Sequence, residues 1–152
     1  MDTDERYMWE VLTLAQAAGE RGEIPIAAVV VHEGKIIARA SNEKEARQDA
    51  TAHAEILALQ VAARHLGRWR LTDATLYCNL EPCPMCGGAM VNSRLSRLVY
   101  GCSDAKAGAA GSIIDLVRYP GLNHQLEVKR GVLETDCQEL LSSYFKRLRE
   151  SQ

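Results

Sequence analysis

Apolar side chains recur at Tyr7, Met8, Val11, Leu12, Leu14 and Ala15, the three- and four-residue steps of an amphipathic helix over residues 4–18, and Gly19 and Gly22 mark its stop. The period then changes. Residues 24–32 (IPIAAVVVH) and 35–40 (KIIARA) are two short β-branched runs separated by Glu33-Gly34, the composition of a tight turn, so they are expected as antiparallel neighbours. Polar residues 41–49 cross to a helix of about residues 52–66, whose Ile56, Leu57, Leu59, Gln60 and Ala63 suit a face laid on a sheet. Residues 74–80 (ATLYCNL) read as a third strand. Pro82 and Pro84 set φ near helical values where a helix begins, so residues 83–93 are predicted helical despite two glycines. A strand at 97–101, a Gly- and Ala-rich connector at 102–124, a last strand within 125–131 and an amphipathic helix of about 134–149 complete the order. This alternation predicts an α/β fold, a three-layer α/β/α sandwich around a central mixed five-stranded sheet that opens with an antiparallel hairpin.

Composition narrows the class. At 152 residues and 47% apolar content the chain suits one compact domain over residues 1–152, and no repeat, low-complexity tract or linker divides it. Eighteen Lys and Arg face twenty Asp and Glu, so the overall field does not draw the protein onto nucleic acid and any such contact must be local. The acidic, amphipathic opening lacks the cationic start and apolar block of a signal peptide, and no apolar run approaches the ~20 residues that span a bilayer. A cytoplasmic protein without a membrane partner is expected, and in a reducing compartment its five cysteines are not expected to pair.

Chemistry concentrates in two helix openings. His53-Ala54-Glu55 starts one, and Pro82-Cys83-Pro84-Met85-Cys86 starts the other. Cys83 and Cys86 are three residues apart, so on a helix their sulfurs share a face and can grip one ion. With His53 they make a three-ligand set for Zn²⁺, one per subunit, whose fourth tetrahedral position stays open to water as in a catalytic site. Glu55 stands in the same first turn as a base for that water. A Cys-x-x-Cys pair also suits a thioredoxin-like redox function, which leaves His53 and Glu55 without a purpose, or a structural zinc knuckle, which normally has a fourth protein ligand.

The pattern His-x-Glu followed by Pro-Cys-x-x-Cys resembles the signature of the cytidine-deaminase superfamily. More closely, TAHAEILAL (51–59), ATLYCNLEPCPMC (74–86), DAKAGAAGS (104–112), Asn123-His124 and LLSSYFKRLR (140–149) are similar to the bacterial tRNA-specific adenosine deaminases, a likeness running over about residues 4–149. The resemblance implies a cytidine-deaminase-like fold and conversion of the wobble adenosine of a tRNA anticodon to inosine. It also implies a homodimer whose partner molecule is the anticodon arm of tRNA, with no DNA expected. By the same likeness Asn42 holds the flipped base beside the N–H of Ala54, and Asp104 and Lys106 line a loop for neighbouring nucleotides. Tyr144, Phe145, Lys146, Arg147 and Arg149 form an aromatic and cationic strip for the anticodon stem. The rival reading is a deaminase of a free nucleobase or nucleotide such as guanine, cytosine or deoxycytidylate; a non-catalytic RNA-binding zinc protein is a third, against which the intact Glu55 stands.

Relatives commonly carry Gly where Ala27 stands, so its methyl is expected to press on the pocket floor. Cys78, Cys102 and Cys137 read as small core residues. His32, His65 and His124 lack partners at ligand spacing and read as surface or capping groups. Gly108-x-x-Gly111 lacks the Lys-Ser/Thr of a phosphate loop and reads as a flexible connector, which the resemblance sets near a subunit contact.

Overall fold

Glu33 and Gly34 both take left-handed backbone, with φ of 50° and 75°, the two-residue turn whose twist matches that of a hairpin. Around it β1 (Ala27–His32) and β2 (Lys35–Ser41) pair antiparallel, with a register shift between Val30 and Val31, in a computed structural model that describes residues 1–151. On its other side β1 pairs antiparallel with β3 (Ala74–Leu80). Beyond it β4 (Arg97–Cys102) and the three-residue β5 (Glu127–Lys129) continue in parallel, giving the order β2-β1-β3-β4-β5. The sheet is therefore mixed and five-stranded, as the alternation predicts, although its last strand is shorter than expected.

Strand alternation divides the core into two layers. Ala28, Val30, Leu76, Cys78, Leu98 and Tyr100 face α3 (Ala54–Leu66) and α4 (Pro84–Asn92). Ala27, Val29, Val31, Tyr77, Val99 and Cys102 face α1 (Thr3–Glu20) and α5 (Glu134–Glu150). Asp2 caps α1 in a reciprocal box with Glu5, and Met8, Val11, Leu12, Ala15 and Ala18 make its buried stripe. Asp4 in its first turn is 8% exposed and receives both terminal nitrogens of Arg97 at 3.0 and 2.9 Å, Lys129 Nζ at 2.9 Å and the Tyr77 hydroxyl at 2.6 Å. One carboxylate thus ties α1 to β3, β4 and β5. Among the described residues no helix is long and apolar enough to cross a membrane.

Three expectations change. The polar crossing contains a short helix, α2 (Lys44–Arg47), closed by Gln48 in left-handed backbone at φ 51° rather than by a glycine. In α3, Gln60 is exposed and Ala63 half-buried; Ala54, Ala58 and Ala62 with Leu57 and Leu59 make the inner face, because small residues let the helix sit close on the sheet. Ala27 lies in the α1/α5 layer, so its methyl points away from the face that bears α3 and α4 and does not press on the pocket floor. Cys78, Cys102 and Cys137 are buried and unbridged, as expected of core residues.

Candidate active site

His53 and Cys83 are both N-cap residues, in extended backbone at φ −74° and −77°, just before α3 and α4. Pro84 occupies the first helical turn and leaves Cys86 on the third position of α4, facing back toward Cys83. Neither cap side chain bonds its own helix. Instead His53 Nδ1 lies 3.6 Å from Cys83 Sγ and 3.4 Å from Cys86 Sγ, and the three ligand atoms sit within 4.8 Å of one another. Bond lengths of ~2.3 Å to sulfur and ~2.0 Å to nitrogen place ligand atoms about 3.5 Å apart around a tetrahedral zinc. The two measured separations fit that edge. The neighbouring Cys86 and His53 side chains draw the Cys83 thiol down to about 4, while Cys83 and burial push Cys86 up. The helix N-termini favour thiolate further.

Glu55, in the first turn of α3, is 4% exposed yet borders the cavity, and burial raises its pKa to about 7. It is not in the three-ligand cluster. The cavity has a volume of about 540 Å³, within the ~300–1,000 Å³ usual for small-ligand sites. His53, Ala54, Glu55 and Cys83 line it together with Leu80 and Glu81 at the end of β3, and its other walls come from Ile24 and Ile26, from Asn42 and Lys44, from Ser103 to Ala107, and from Leu141 and Phe145. Because no side chain caps α3, the N–H of Ala54 has no partner within the helix and is available to the cavity.

Asn42 is 4% exposed, and its Oδ1 accepts the N–H of Lys44 at 2.8 Å. That bond fixes the amide with its NH₂ group toward the cavity. The segment is held from below by Glu23, a buried carboxylate that accepts the N–H groups of Glu45 and Ala46 at the start of α2. A fully buried amide, Asn79, fixes the adjoining 25–27 segment: its Oδ1 accepts the Ala27 N–H at 3.0 Å and its Nδ2 donates to the Pro25 carbonyl at 2.8 Å.

The Gly108–Gly111 stretch, read from sequence as a flexible connector, lies in a 103–112 segment that a buried carboxylate holds. Glu81 accepts the N–H groups of Asp104, Ala110 and Ser112 at 3.0, 2.9 and 3.1 Å, together with the Ser112 hydroxyl. Burial alone raises its pKa; these four donors outweigh that and leave the carboxyl below its ordinary value. Asp104 in turn accepts the N–H groups of Lys106 and Ala107, so its carboxylate shapes the loop as well as bordering the cavity.

Of the C-terminal strip only Phe145 reaches the cavity, with Tyr144 packed edge-on at 5.5 Å. Lys146, Arg147 and Arg149 are exposed outside it. His65 is exposed, and His124 lies 2.7 Å from the Leu95 carbonyl across a loop. His32 gains a partner that spacing hides, Asp73 at 3.0 Å on the neighbouring strand end. Glu23, Lys44 and the apolar wall residues carry no local motif, and Asn79 and Glu81, although inside the 74–86 segment, have partners distant in sequence that no spacing reveals.

A family model described as MafB19-like deaminase matches residues 2–149. The chain is 49% identical over 150 residues to a tRNA-specific adenosine deaminase of Bacillus subtilis (strain 168), spanning 99% of this chain and 93% of the relative. It is 45% identical over 148 residues to a protein of the same name from Haemophilus influenzae, spanning 97% and 86%. A solved structure from work on A-to-I editing by tRNA:A34 deaminases superposes with a TM-score of 0.86 at 42% identity, over 90% of this chain and 99% of that one. A guanine deaminase from Nitrosomonas europaea superposes with a TM-score of 0.82 at 27% identity, over 95% and 85%.

Proposed function

The chain belongs to the MafB19-like deaminases and, within its range of relatives, to the tRNA-specific adenosine deaminases; from that premise we propose that it deaminates the wobble adenosine of a tRNA anticodon to inosine by hydrolysis. Residues 1–152 act as one deaminase domain, cytoplasmic, and paired as a homodimer. The observation that carries the reading is a buried carboxylate, Glu55, beside a cluster of three protein ligands on the floor of a base-sized cavity.

His53, Cys83 and Cys86 would hold one zinc per subunit, and two thiolates with one neutral imidazole balance its charge. When bound, the metal supplies Lewis acidity and brings the pKa of water toward neutrality. Glu55 takes a proton from the attacking water and delivers it to N1 of the purine as C6 is attacked. The same carboxyl then takes the proton of the new C6 hydroxyl to the leaving amine; the C6–N bond breaks, the C6 carbonyl of inosine forms, and ammonia departs. Burial raises the pKa of Glu55, which favours the protonated form that a donor needs. Asn42 Nδ2 and the Ala54 N–H orient the extruded base by hydrogen bonds, and Ile24, Ile26 and Phe145 give it apolar surface in place of its lost stacking. Asp104 and Lys106 meet the adjoining nucleotides at the rim. Outside it, Lys146, Arg147 and Arg149 offer phosphate contacts that the net charge of −2 does not preclude, since they are gathered on one helix end.

The likeness to a guanine deaminase favours a second reading, hydrolysis of a free base in the same cavity. Ammonia release from an anticodon stem-loop bearing adenosine at the wobble position, measured beside release from guanine, cytosine, deoxycytidylate and adenosine, separates the two. Faster turnover of any free compound than of the stem-loop would sink the tRNA assignment.

A further inference from the structure

Glu81 joins the end of β3 to the turn that bears Cys83, and its side chain is 2% exposed. A carboxylate so placed loses its hydration and needs full replacement by donors. Every donor it has comes from one segment: the N–H groups of Asp104, Ala110 and Ser112, and the Ser112 hydroxyl. The segment wraps the carboxylate so closely that a Cβ at Gly108 would lie 2.5 Å from each of its oxygens, which only glycine avoids. A further bond, from the Ala109 N–H to the Pro82 carbonyl at 2.8 Å, fastens the same segment to the cysteine-bearing turn.

The cavity side of this segment has little else to hold it. Ser103, Ala105 and Lys106 are exposed and Asp104 and Ala107 half-buried, so apolar burial contributes little to their placement. Their position depends on hydrogen bonds, and the bond from the Asp104 N–H is the first link in that chain.

We propose that Glu81 is a positioning residue for substrate, fixing the 104–112 wall against the Cys83 turn so that Asp104 and Lys106 stand ready for the nucleotides flanking the reacting base. The role rests on the tRNA reading above, because a free base would have no flanking nucleotides for the wall to meet. Glu81 borders the cavity, but each of its carboxylate oxygens already accepts two bonds from this segment, so it acts through the loop.

Glu81→Gln keeps the shape but turns an NH₂ group on at least one of the donor sets. Ser112→Ala removes a single bond and serves if the first variant does not fold. Zinc content, amide hydrogen exchange, and kcat and KM on the wobble-adenosine stem-loop are measured for both variants and the wild type. The expected result for Glu81→Gln is about one zinc per chain as in the wild type, with exchange of the 104–112 amides accelerated about tenfold and α3 amides unchanged. KM should rise about tenfold while kcat stays within about threefold, as for a displaced positioning element. Ser112→Ala should move both readouts in the same direction by less. Unchanged loop exchange and KM would overturn the proposal, as would loss of zinc and kcat with KM intact, which would assign Glu81 to the metal turn instead. Should the wild type fail to deaminate the stem-loop, the reading of function fails, and loop exchange still decides whether Glu81 holds this wall.

Discussion

Replacing Asp4 with Asn removes one charge from a junction of four elements, and the cost can be worked from the contacts. The Arg97 guanidinium gives the carboxylate two hydrogen bonds at 3.0 and 2.9 Å while 27% exposed, so the pair is worth less than the ~3–5 kcal/mol lost on breaking a fully buried one. A charged hydrogen bond of ~1.5–3 kcal/mol, taken at its lower end for each nitrogen and reduced because Asn still accepts one donor, leaves about 2 kcal/mol. Lys129 is 45% exposed and adds under about 1 kcal/mol. The total of about 2–3 kcal/mol corresponds to a fall in Tm of roughly 5–10 °C for a chain of this size. Arg97 and Lys129 hold the Asp4 carboxyl well below its ordinary value of 3.8, with burial opposing and the Tyr77 hydroxyl helping. A group depressed in the folded state contributes stability that is complete above its unfolded pKa and is lost as pH falls through the folded one. Thermal melts of both proteins from pH 7 to pH 3 should therefore keep a constant gap down to about pH 4 and narrow below it. A gap that is absent at pH 7, or of equal size at pH 3, would refute the assignment of the charge as the stabilising element.

Other outcomes follow from the site. Glu55→Gln should keep its zinc, measured by metal analysis, and lose at least ~10²–10⁴ in kcat, the usual worth of a proton shuttle; metal loss in that variant would show that the residue is a ligand. Asn42→Ala should retain metal and lower kcat/KM on the stem-loop by about 1–3 kcal/mol, since it removes a buried donor to the base and the acceptor of the Lys44 N–H; equal efficiency would remove Asn42 from substrate binding. Gly101→Ala should destabilise by about 1–3 kcal/mol in urea unfolding. Its Cβ would collide with the Cys137 sulfur and come 2.9 Å from the Asn79 carbonyl, and an unchanged midpoint would mean that β4 and α5 part more easily than their packing indicates.

The parts legible in the sequence were those written in local spacing. Glu33-Gly34 announces its turn because glycine accepts the left-handed backbone there, and alternation along residues 27–31 sorts Ala27, Val29 and Val31 from Ala28 and Val30. The gathering of His53, Cys83 and Cys86, with Glu55 two residues after His53, is legible because each stands at a helix start with a fixed offset. Gln60 was misjudged because a helix lying on a sheet through alanines has a narrower contact face than leucine spacing suggests. Glu81 and Asn79 were not legible, since their partners lie 23 to 54 positions away and no period links a carboxylate to the amides of a distant loop. Gly108-x-x-Gly111 reads as a flexible connector because it lacks a phosphate loop's Lys-Ser/Thr; Gly108 is there to admit the Glu81 carboxylate, and the segment is anchored.

The proposed metal-ligand set and shuttle hang on the openings of α3 and α4, whereas most of the cavity wall is borrowed from four segments elsewhere in the chain. In that proposal the groups for hydrolysis and those for recognition sit on separate parts of the chain. Exchanging rim residues around 103–107 or at the end of α5 can redirect the enzyme to a new amine without retooling the machinery that cleaves it, and an engineer seeking altered selectivity should randomise those rims and leave the two helix starts alone.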